Sequence, residues 1–375
     1  AMVGWGHSQG GSRMKNIPFL EAVEAGGLVA DGAMGSLLYE RGIFVNRSFD
    51  EVNLTQSELV YKVHQEYLLA GAQIIETNTF AANKEKLSAY GLEKRVQDIN
   101  RAATRIAVES RQFTNQHIWI AGTVGPLGKQ ISPIGTLSVK RARNIFQEQV
   151  EELATSGVDI IILETFSDLG EIKVASEAAA STGLPFIAQM AFGQDGLTSF
   201  GYTPSEVAVR IEAMGATVIG ANCSVGSAPM VATVSEMKRR TSTPISAQPN
   251  AGFPTLLQGR MIYRSTPEYM ATQAIRLIEQ GATIIGGCCG TTPTNTPKIR
   301  HTIPKISTLD RQPHHPTLVK NIGHREPLQP NDLEPSELPK KFEEGKLVIT
   351  MEVSPPRGFE AVSYTHLTLP TNREV

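Results

Sequence analysis

Cysteine is scarce in this chain, with only three cysteines in 375 residues. An odd number of cysteines, two of them adjacent, does not make the disulfide framework of a small secreted protein. No apolar run reaches the roughly 20 residues that a membrane-spanning helix needs, and the first residues lack the apolar core of a signal peptide. The formal net charge of −2 gives no electrostatic reason to expect a nucleic acid or a membrane surface as a partner. We therefore expect a cytoplasmic globular protein with reduced cysteines.

Short β-branched runs alternate with longer segments of helical periodicity through most of the chain. Most of the runs are continuously apolar, which is typical of strands covered on both faces. Eight runs are predicted as strands, over residues 28–32, 72–80, 118–126, 158–166, 185–192, 216–223, 244–252 and 282–289. Eight strands that alternate with helices predict an α/β protein with a (β/α)8 TIM barrel. A doubly wound open sheet is the alternative, but no GxGxxG turn follows the first strand.

Three of the intervening helices carry start and stop signals in the sequence. Ser57, Thr203 and Thr266 are predicted as N-cap residues, and proline follows each of the two threonines. Each of the three helices is predicted to end at a glycine.

The composition changes near residue 305, where the chain becomes rich in proline and charge. Residues 1–13 are predicted to be a non-native or disordered leader, residues 14–306 the barrel, and residues 307–345 a linker. Residues 346–375 are predicted to contain the truncated start of a second domain, followed by a foreign tail.

Polar residues are concentrated at the predicted carboxyl ends of the strands, where active sites of (β/α)8 barrels are assembled. They are Asp31, Glu76, Thr77, Asn78, Glu164, Thr165, Asn222, Cys223, Gln248, Asn250, Cys288 and Cys289. Histidine is missing from these ends, since none of His7, His64, His117, His301, His314, His315, His324 and His366 falls there. A histidine-ligated hydrolytic metal or a histidine general base therefore has no candidate.

All three cysteines lie where an apolar run ends in a glycine-containing turn. Cys223 ends the sixth predicted strand, while Cys288 and Cys289 end the eighth, between Gly286-Gly287 and Gly290, which are expected to give the turn conformational freedom. Three thiolates at one rim of a barrel are typical of a zinc site with one open coordination position. Two alternatives are that the cysteines act as small buried hydrophobes, or that the adjacent pair forms a disulfide or redox switch.

Three thiolates around Zn²⁺ leave a net charge of −1, which suits a fourth sulfur ligand better than a carbonyl. Coordination lowers the pKa of an incoming thiol while leaving the sulfur electron-rich. The chemistry that the three cysteines favour is therefore alkylation of a bound thiolate.

Seven motifs resemble the homocysteine S-methyltransferase family over roughly residues 16–306. They are DGAMGSLL (31–38), ETNTF (76–80), GPLG (125–128), ETF (164–166), GANC (220–223), QPNAG (248–252) and GGCCGTTP (286–293). The resemblance implies a (β/α)8 barrel and Zn²⁺ as the cofactor, held by Cys223, Cys288 and Cys289. It also implies homocysteine and a small-molecule methyl donor as the partners, with methionine as the product.

The resemblance further implies a binding site for the amino acid part of homocysteine. Asp31 and Glu164 would hold the ammonium group, and backbone N–H groups around Gly32, Ala33 and Met34 would receive the carboxylate. Asp31 could instead cap a helix, and Glu164 could serve as a structural partner to a loop amide. Weaker candidates are the rim residues Thr77, Asn78 and Asn222, whose polar groups could serve only to satisfy loop backbone.

Two rival functions remain open at the level of the sequence. The segment LVITMEVSPPRG, from residue 347, resembles the start of methylenetetrahydrofolate reductase as found in bifunctional proteins, although too little is present to assign a reductase activity or a flavin. This segment argues against the first rival, a fragment of a cobalamin-dependent methionine synthase. The second rival is a zinc-buffering or thiol redox protein. The sequence carries no signature that selects among S-methylmethionine, S-adenosylmethionine, a betaine and methyltetrahydrofolate as donor.

Overall fold

Eight parallel strands form a closed barrel in the computed structural model of the protein, which describes residues 18–303 except 26, 45, 258 and 259. The barrel strands are β1 (Leu28–Val29), β2 (Ile74–Glu76), β3 (Trp119–Val124), β4 (Ile160–Phe166), β5 (Phe186–Met190), β6 (Val218–Gly226), β7 (Ile245–Asn250) and β10 (Ala282–Ile285). Their order around the barrel is β1-β10-β7-β6-β5-β4-β3-β2. The predicted (β/α)8 TIM barrel is confirmed.

The barrel closes between its first two strands in the chain. Ala30 forms a parallel bridge with Ile74, and the N–H of Asp31 donates to the carbonyl oxygen of Ile74 at 3.0 Å. A separate antiparallel hairpin, β8 (Thr255–Leu257) and β9 (Arg260–Ile262), follows β7. Several barrel strands are shorter than predicted, because the polar residues at their carboxyl ends leave the ladder and form loops.

Helices lie between the strands, as expected for this architecture. They are α1 (Phe19–Glu24), α2 (Gly35–Glu40), α3 (Val52–Thr55), α4 (Ser57–Leu69), α5 (Lys84–Ser88), α6 (Val96–Arg111), α7 (Val139–Ser156), α8 (Leu169–Ser181), α9 (Pro204–Glu212), α10 (Ser227–Lys238), α11 (Pro267–Glu279) and α12 (Asn295–Arg300). In the described part of the chain, no helix is both long and apolar enough to cross a bilayer.

The predicted helix starts are confirmed at two of three positions. Thr203 caps α9 in a capping box with Glu206, and the Thr266 side chain accepts the N–H of Tyr269 at the start of α11. Ser57 is not the cap of α4: the N-cap residue is Gln56, and Ser57 is the first residue of the helix itself.

The strand residues divide by alternation into two apolar layers. One set, which includes Ile75, Ile161 and Ile219, packs in the large cluster shared with the surrounding helices. The other set lies in a separate cluster that contains Ile74, Trp119, Ile160, Ile187 and Val218. Because successive side chains of a strand point to opposite faces, the second set fills the barrel interior.

Helix α1 belongs to the interior cluster and covers its amino-terminal end. Phe19 and Val23 of α1 are buried there, and the Phe19 ring meets the Trp119 ring edge to face with centroids 6.0 Å apart. The interior is therefore apolar at the end of the barrel opposite the predicted active site.

The same alternation carries polar side chains inward at the carboxyl ends of the strands. Two residues beyond Ile74, Ile162 and Ile187 come Glu76, Glu164 and Gln189. The corresponding inward residue of β6 is Asn222, and those of β7 are Ser246, Gln248 and Asn250. A polar layer therefore lies directly above the apolar interior, at the mouth of the barrel.

Several predictions about domain organisation lie outside the described residues. They concern the leader over residues 1–13, the linker over residues 307–345 and the second-domain start and tail over residues 346–375. The predicted barrel, residues 14–306, contains all the described residues.

Burial of His64 in α4 predicts a pH-dependent stability. The side chain is fully buried, and neither ring nitrogen has a hydrogen-bond partner among the described residues. Burial lowers the pKa of His64 to about 4. Because the unfolded chain binds this proton near pH 6.5 and the folded chain only near pH 4, stability falls as the pH drops through this window. The full loss is about 3 kcal/mol below pH 4.

We expect His64→Leu to remove this loss and to stabilise the protein at every pH, since no polar nitrogen is then left without a partner. Urea unfolding of the wild type and the variant at a series of pH values measures the difference. His301→Leu, at an exposed position, is the control for losing a histidine. A wild-type-minus-variant difference that does not change between pH 7 and pH 4 would contradict the prediction.

Candidate metal centre

The structure brings the three cysteine sulfurs together at the mouth of the barrel. Their Sγ atoms all lie within 4.8 Å of one another, and Cys223 Sγ is 3.8 Å from Cys289 Sγ. A tetrahedral zinc ion with Zn–S bonds of about 2.3 Å places its sulfur ligands about 3.8 Å apart. The three side chains therefore fit a zinc ion that keeps one coordination position for another ligand.

Cys223 is positioned by a sharp change of backbone direction near the end of β6. Cys223 and Ser224 both have left-handed backbone conformations, with φ of 57° and 55°. The pairing of β6 with β7 shifts register between Asn222 and Gly226. A non-glycine residue in this conformation costs about 1 kcal/mol or more, so the surrounding contacts must hold it in place.

The two adjacent cysteines are held by β7. The N–H of Cys288 donates to the carbonyl oxygen of Pro249 at 2.8 Å, and the carbonyl oxygen of Cys289 accepts the N–H of Ala251 at 3.0 Å. Of the glycines expected to turn the chain, Gly290 is left-handed, with φ of 77°. Gly287 serves close packing instead, since a Cβ there would lie 2.4 Å from the Thr291 hydroxyl oxygen.

The pKa values of neighbouring thiols in this cluster are shifted in opposite directions. Hydrogen bonds from Cys223 and Cys288 lower the pKa of Cys289 to about 3, whereas hydrogen bonds to Cys223 and Cys289 raise the pKa of Cys288 well above its usual range. One thiolate is thus stabilised by two neighbouring thiols before any ion is present. Binding of a metal ion to all three sulfurs must release the remaining protons.

Asn222 connects the sulfurs to the neighbouring acidic side chain. Its Nδ2 donates to Glu164 Oε2 and to Thr165 Oγ1, both at 2.7 Å, and lies 3.9 Å from Cys288 Sγ. Its Oδ1 accepts the N–H of Thr165, also at 2.7 Å. The predicted rim residue Asn222 therefore lies at the site and orients Glu164.

Asp31 and Glu164 lie at the mouth together with Glu76. Burial, and then the charge of Glu76, raise the pKa values of both Asp31 and Glu164 well above their usual range. Burial raises the pKa of Glu76 to about 7. The three carboxyl groups thus interact through their charges in a place poorly reached by water, where they favour a cation or a shared proton.

The alternative role of Asp31 as a helix cap is wrong. Helix α2 begins later, with Met34 as its N-cap residue and no side-chain cap. Asp31 Oδ2 instead accepts the N–H of Glu76 at 3.0 Å. Glu164 Oε2 accepts the side-chain amide of Asn222 at 2.7 Å and, at 3.4 Å, the hydroxyl of Thr165.

The other predicted binding residues lie at the same end of the barrel, and their contacts in the structure are with neighbouring protein groups. The N–H of Ala33 donates to Thr291 Oγ1 at 3.0 Å, and Gly32 packs against the same side chain. Thr77 bonds to Thr79, and the Asn78 side chain donates to the carbonyl oxygen of Phe49. A role for Gly32, Ala33, Met34, Thr77 and Asn78 in substrate binding stays a prediction.

Several side chains with no role predicted from the sequence also lie in this site. Gln248 Nε2 donates to Glu76 Oε1 at 2.5 Å, and Gln189 Nε2 donates to Gln248 Oε1 at 2.5 Å. Tyr263 lies against Gly290. The alternation of inward and outward side chains along a strand could have identified Glu76, Gln189 and Gln248 as site residues, since each falls on an inward position just beyond the apolar layer.

Comparison with known proteins places these features in a family. The family model described as homocysteine S-methyltransferase matches residues 28–303. Among curated proteins, the methionine synthases of Mycobacterium tuberculosis and Mycobacterium leprae are each 27% identical to this chain, over 79% and 81% of its length. The matched part is 26% and 27% of those proteins, so the chain spans about a quarter of the length of the curated relatives it matches.

Among solved structures, the homocysteine methyltransferase MmuM from Escherichia coli has a similar fold. Its oxidized form aligns with a TM-score of 0.63 and 23% identity, covering 73% of this chain and 95% of MmuM. The metallated form aligns with a TM-score of 0.61 and 24% identity, covering 73% and 96%. This likeness supports the barrel, and the family model covers most of the chain. The chain therefore belongs to the homocysteine S-methyltransferase family.

Proposed function

We propose that this protein transfers a methyl group to the sulfur of homocysteine, giving methionine, with Zn²⁺ held by Cys223, Cys288 and Cys289. The observation that carries the proposal is the convergence of three thiols beside buried carboxyl groups at one barrel mouth. When bound, the ion supplies a coordination position that accepts the homocysteine sulfur as a thiolate and keeps it nucleophilic at neutral pH.

The residues around the sulfurs orient the amino acid part of the substrate. Asp31 and Glu164 accept hydrogen bonds from its ammonium group, and Asn222 holds Glu164 in position from behind. Charge-assisted hydrogen bonds of this kind fix orientation as well as affinity. A fixed sulfur then attacks the methyl carbon in line, so that the new S–C bond forms while the bond between this carbon and the donor breaks.

A second candidate is the homocysteine-binding part of a longer methionine synthase. The observation that favours it is that this chain matches only 26% of the length of the methionine synthase of Mycobacterium tuberculosis. The two candidates differ in the methyl donor. Assays with homocysteine and S-methylmethionine, S-adenosylmethionine, betaine, methyltetrahydrofolate or methylcobalamin distinguish them. Turnover with methylcobalamin alone would favour the second candidate.

We also propose, on the resemblance of LVITMEVSPPRG, that residues after 346 begin a methylenetetrahydrofolate reductase-like domain.

Replacement of Cys288 by serine tests the metal site. We expect Cys288→Ser to lose zinc and methyl transfer together while the barrel stays folded, because the remaining two thiols cannot hold the ion tightly. Metal content by mass spectrometry, circular dichroism and turnover measure the three properties. Cys223→Ser and Cys289→Ser should behave alike, and turnover without metal in any of the three would refute the proposal.

Replacement of Asp31 by asparagine tests the ammonium site. We expect Asp31→Asn to raise the KM for homocysteine by about tenfold or more, since it removes one charged acceptor, while the zinc content stays near one ion per chain. Glu171→Gln is the matched control, because burial raises the pKa of Glu171 to about 7 and its carboxylate accepts the N–H of Leu127. An unchanged KM in Asp31→Asn would remove Asp31 from the site.

A further inference from the structure

Each of the three acidic side chains at the mouth is held by the protein through one carboxylate oxygen. Asp31 Oδ2 accepts the N–H of Glu76 at 3.0 Å, Glu76 Oε1 accepts Gln248 Nε2 at 2.5 Å, and Glu164 Oε2 accepts Asn222 Nδ2 at 2.7 Å. Among the described residues, the other oxygen of each carboxylate has no hydrogen-bond partner. Each group is thus anchored on one side and keeps one acceptor for a ligand.

The strongest sign of a missing ligand is the free oxygen of Asp31. The side chain is only 3% exposed, and its Oδ1 atom is buried without a partner. A buried polar atom without a hydrogen bond destabilises the folded protein, and this one belongs to a carboxyl group at the mouth, where a bound ligand can supply the missing donor. Glu76 and Glu164 are partly exposed and can be reached from the mouth.

A cation suits all three carboxyl groups as the partner. The described ion pairs of the protein include none that involves Asp31, Glu76 or Glu164. Two or more carboxylates close together and poorly hydrated cannot all ionise unless a positive charge joins them. An ammonium group carries one positive charge and three N–H donors, so that it can serve more than one carboxylate.

We propose that Glu76 is a third recognition residue for the ammonium group of the substrate, acting together with Asp31 and Glu164. The proposal rests on the proposed function, in which homocysteine supplies that ammonium group. Glu76 is the last residue of β2. Its backbone N–H contacts Asp31, and its carboxylate contacts Gln248 of β7. Its side chain selects amino thiols over thiols without a charged amino group.

A chain of buried amides holds Glu76 in place. Gln248 donates to Glu76, and Gln189 donates both to Gln248 Oε1 at 2.5 Å and to Ser246 Oγ at 2.8 Å. Glu76→Gln keeps the oxygen that accepts from Gln248 and the backbone N–H that donates to Asp31. The substitution therefore removes the negative charge and leaves the supporting contacts in place.

Calorimetric titration of the zinc-loaded full chain with three thiols tests the inference without a methyl donor. The thiols are L-homocysteine, 3-sulfanylpropylamine, which lacks the carboxylate, and 4-sulfanylbutanoate, which lacks the amino group. We expect Glu76→Gln to weaken the binding of the two amino thiols by roughly tenfold or more. Its affinity for 4-sulfanylbutanoate should stay within about twofold of the wild-type value or rise, because like-charge repulsion is relieved.

Two further variants separate recognition from structural support. Glu171→Gln, the control at a carboxyl group that bonds to Leu127 and not to Asp31, Glu76 or Glu164, should leave the ratio of the three affinities unchanged. Glu76→Asp keeps the charge, so we expect it to restore part of the preference for amino thiols, and it tests the inference should Glu76→Gln fail to fold. If a folded Glu76 variant bound all three thiols more weakly by the same factor, the role of Glu76 would be overturned while the proposed function would stand. Failure of the wild type to bind any of the thiols would overturn the proposed function and this inference with it.

Discussion

The site depends on the position of β7 between β6 and β10. Neighbouring strands lie about 4.8 Å apart, so residues on β6 and β10 would ordinarily be nearly 10 Å apart, yet the sulfurs lie within 4.8 Å of one another. The carboxyl ends of both strands must therefore bend towards each other over β7. The left-handed Cys223 bends one of them, and backbone hydrogen bonds to Pro249 and Ala251 fix the other. A change in the register of β7 would separate the three sulfurs.

Much of the fold could be predicted from the sequence, because strands covered on both faces leave a simple signal. Apolar runs marked all eight barrel strands, and their alternation with helices was enough to predict the barrel. The positions of the three cysteines followed from the same argument, since parallel strands end at one rim. The strand ends were less predictable, because residues such as Thr77 and Asn78 look like a continuation of the strand yet serve the loops.

The polar residues of the site were harder to predict, since residue type alone does not show what a side chain contacts. Asp31 resembles a helix cap in sequence, but the N-cap residue lies three residues later, at Met34, and the carboxylate of Asp31 lies against β2 instead. The residue type of Glu76 does not reveal a role, although strand alternation places the side chain inward. Gly286 and Gly287 suggested a flexible turn, whereas both are needed because Ala30 and Thr291 pack too close for a side chain. These distinctions depend on contacts between distant parts of the chain.

The apolar interior beneath the polar layer limits where a ligand can lie. Side chains such as Ile160, Ile162 and Val218 are at most 2% exposed, and α1 covers the opposite end of the barrel. Among the described residues, the interior is therefore packed with protein side chains, and a small molecule held by the polar layer lies on the carboxyl side of that layer. Binding and release then take place at one face of the barrel.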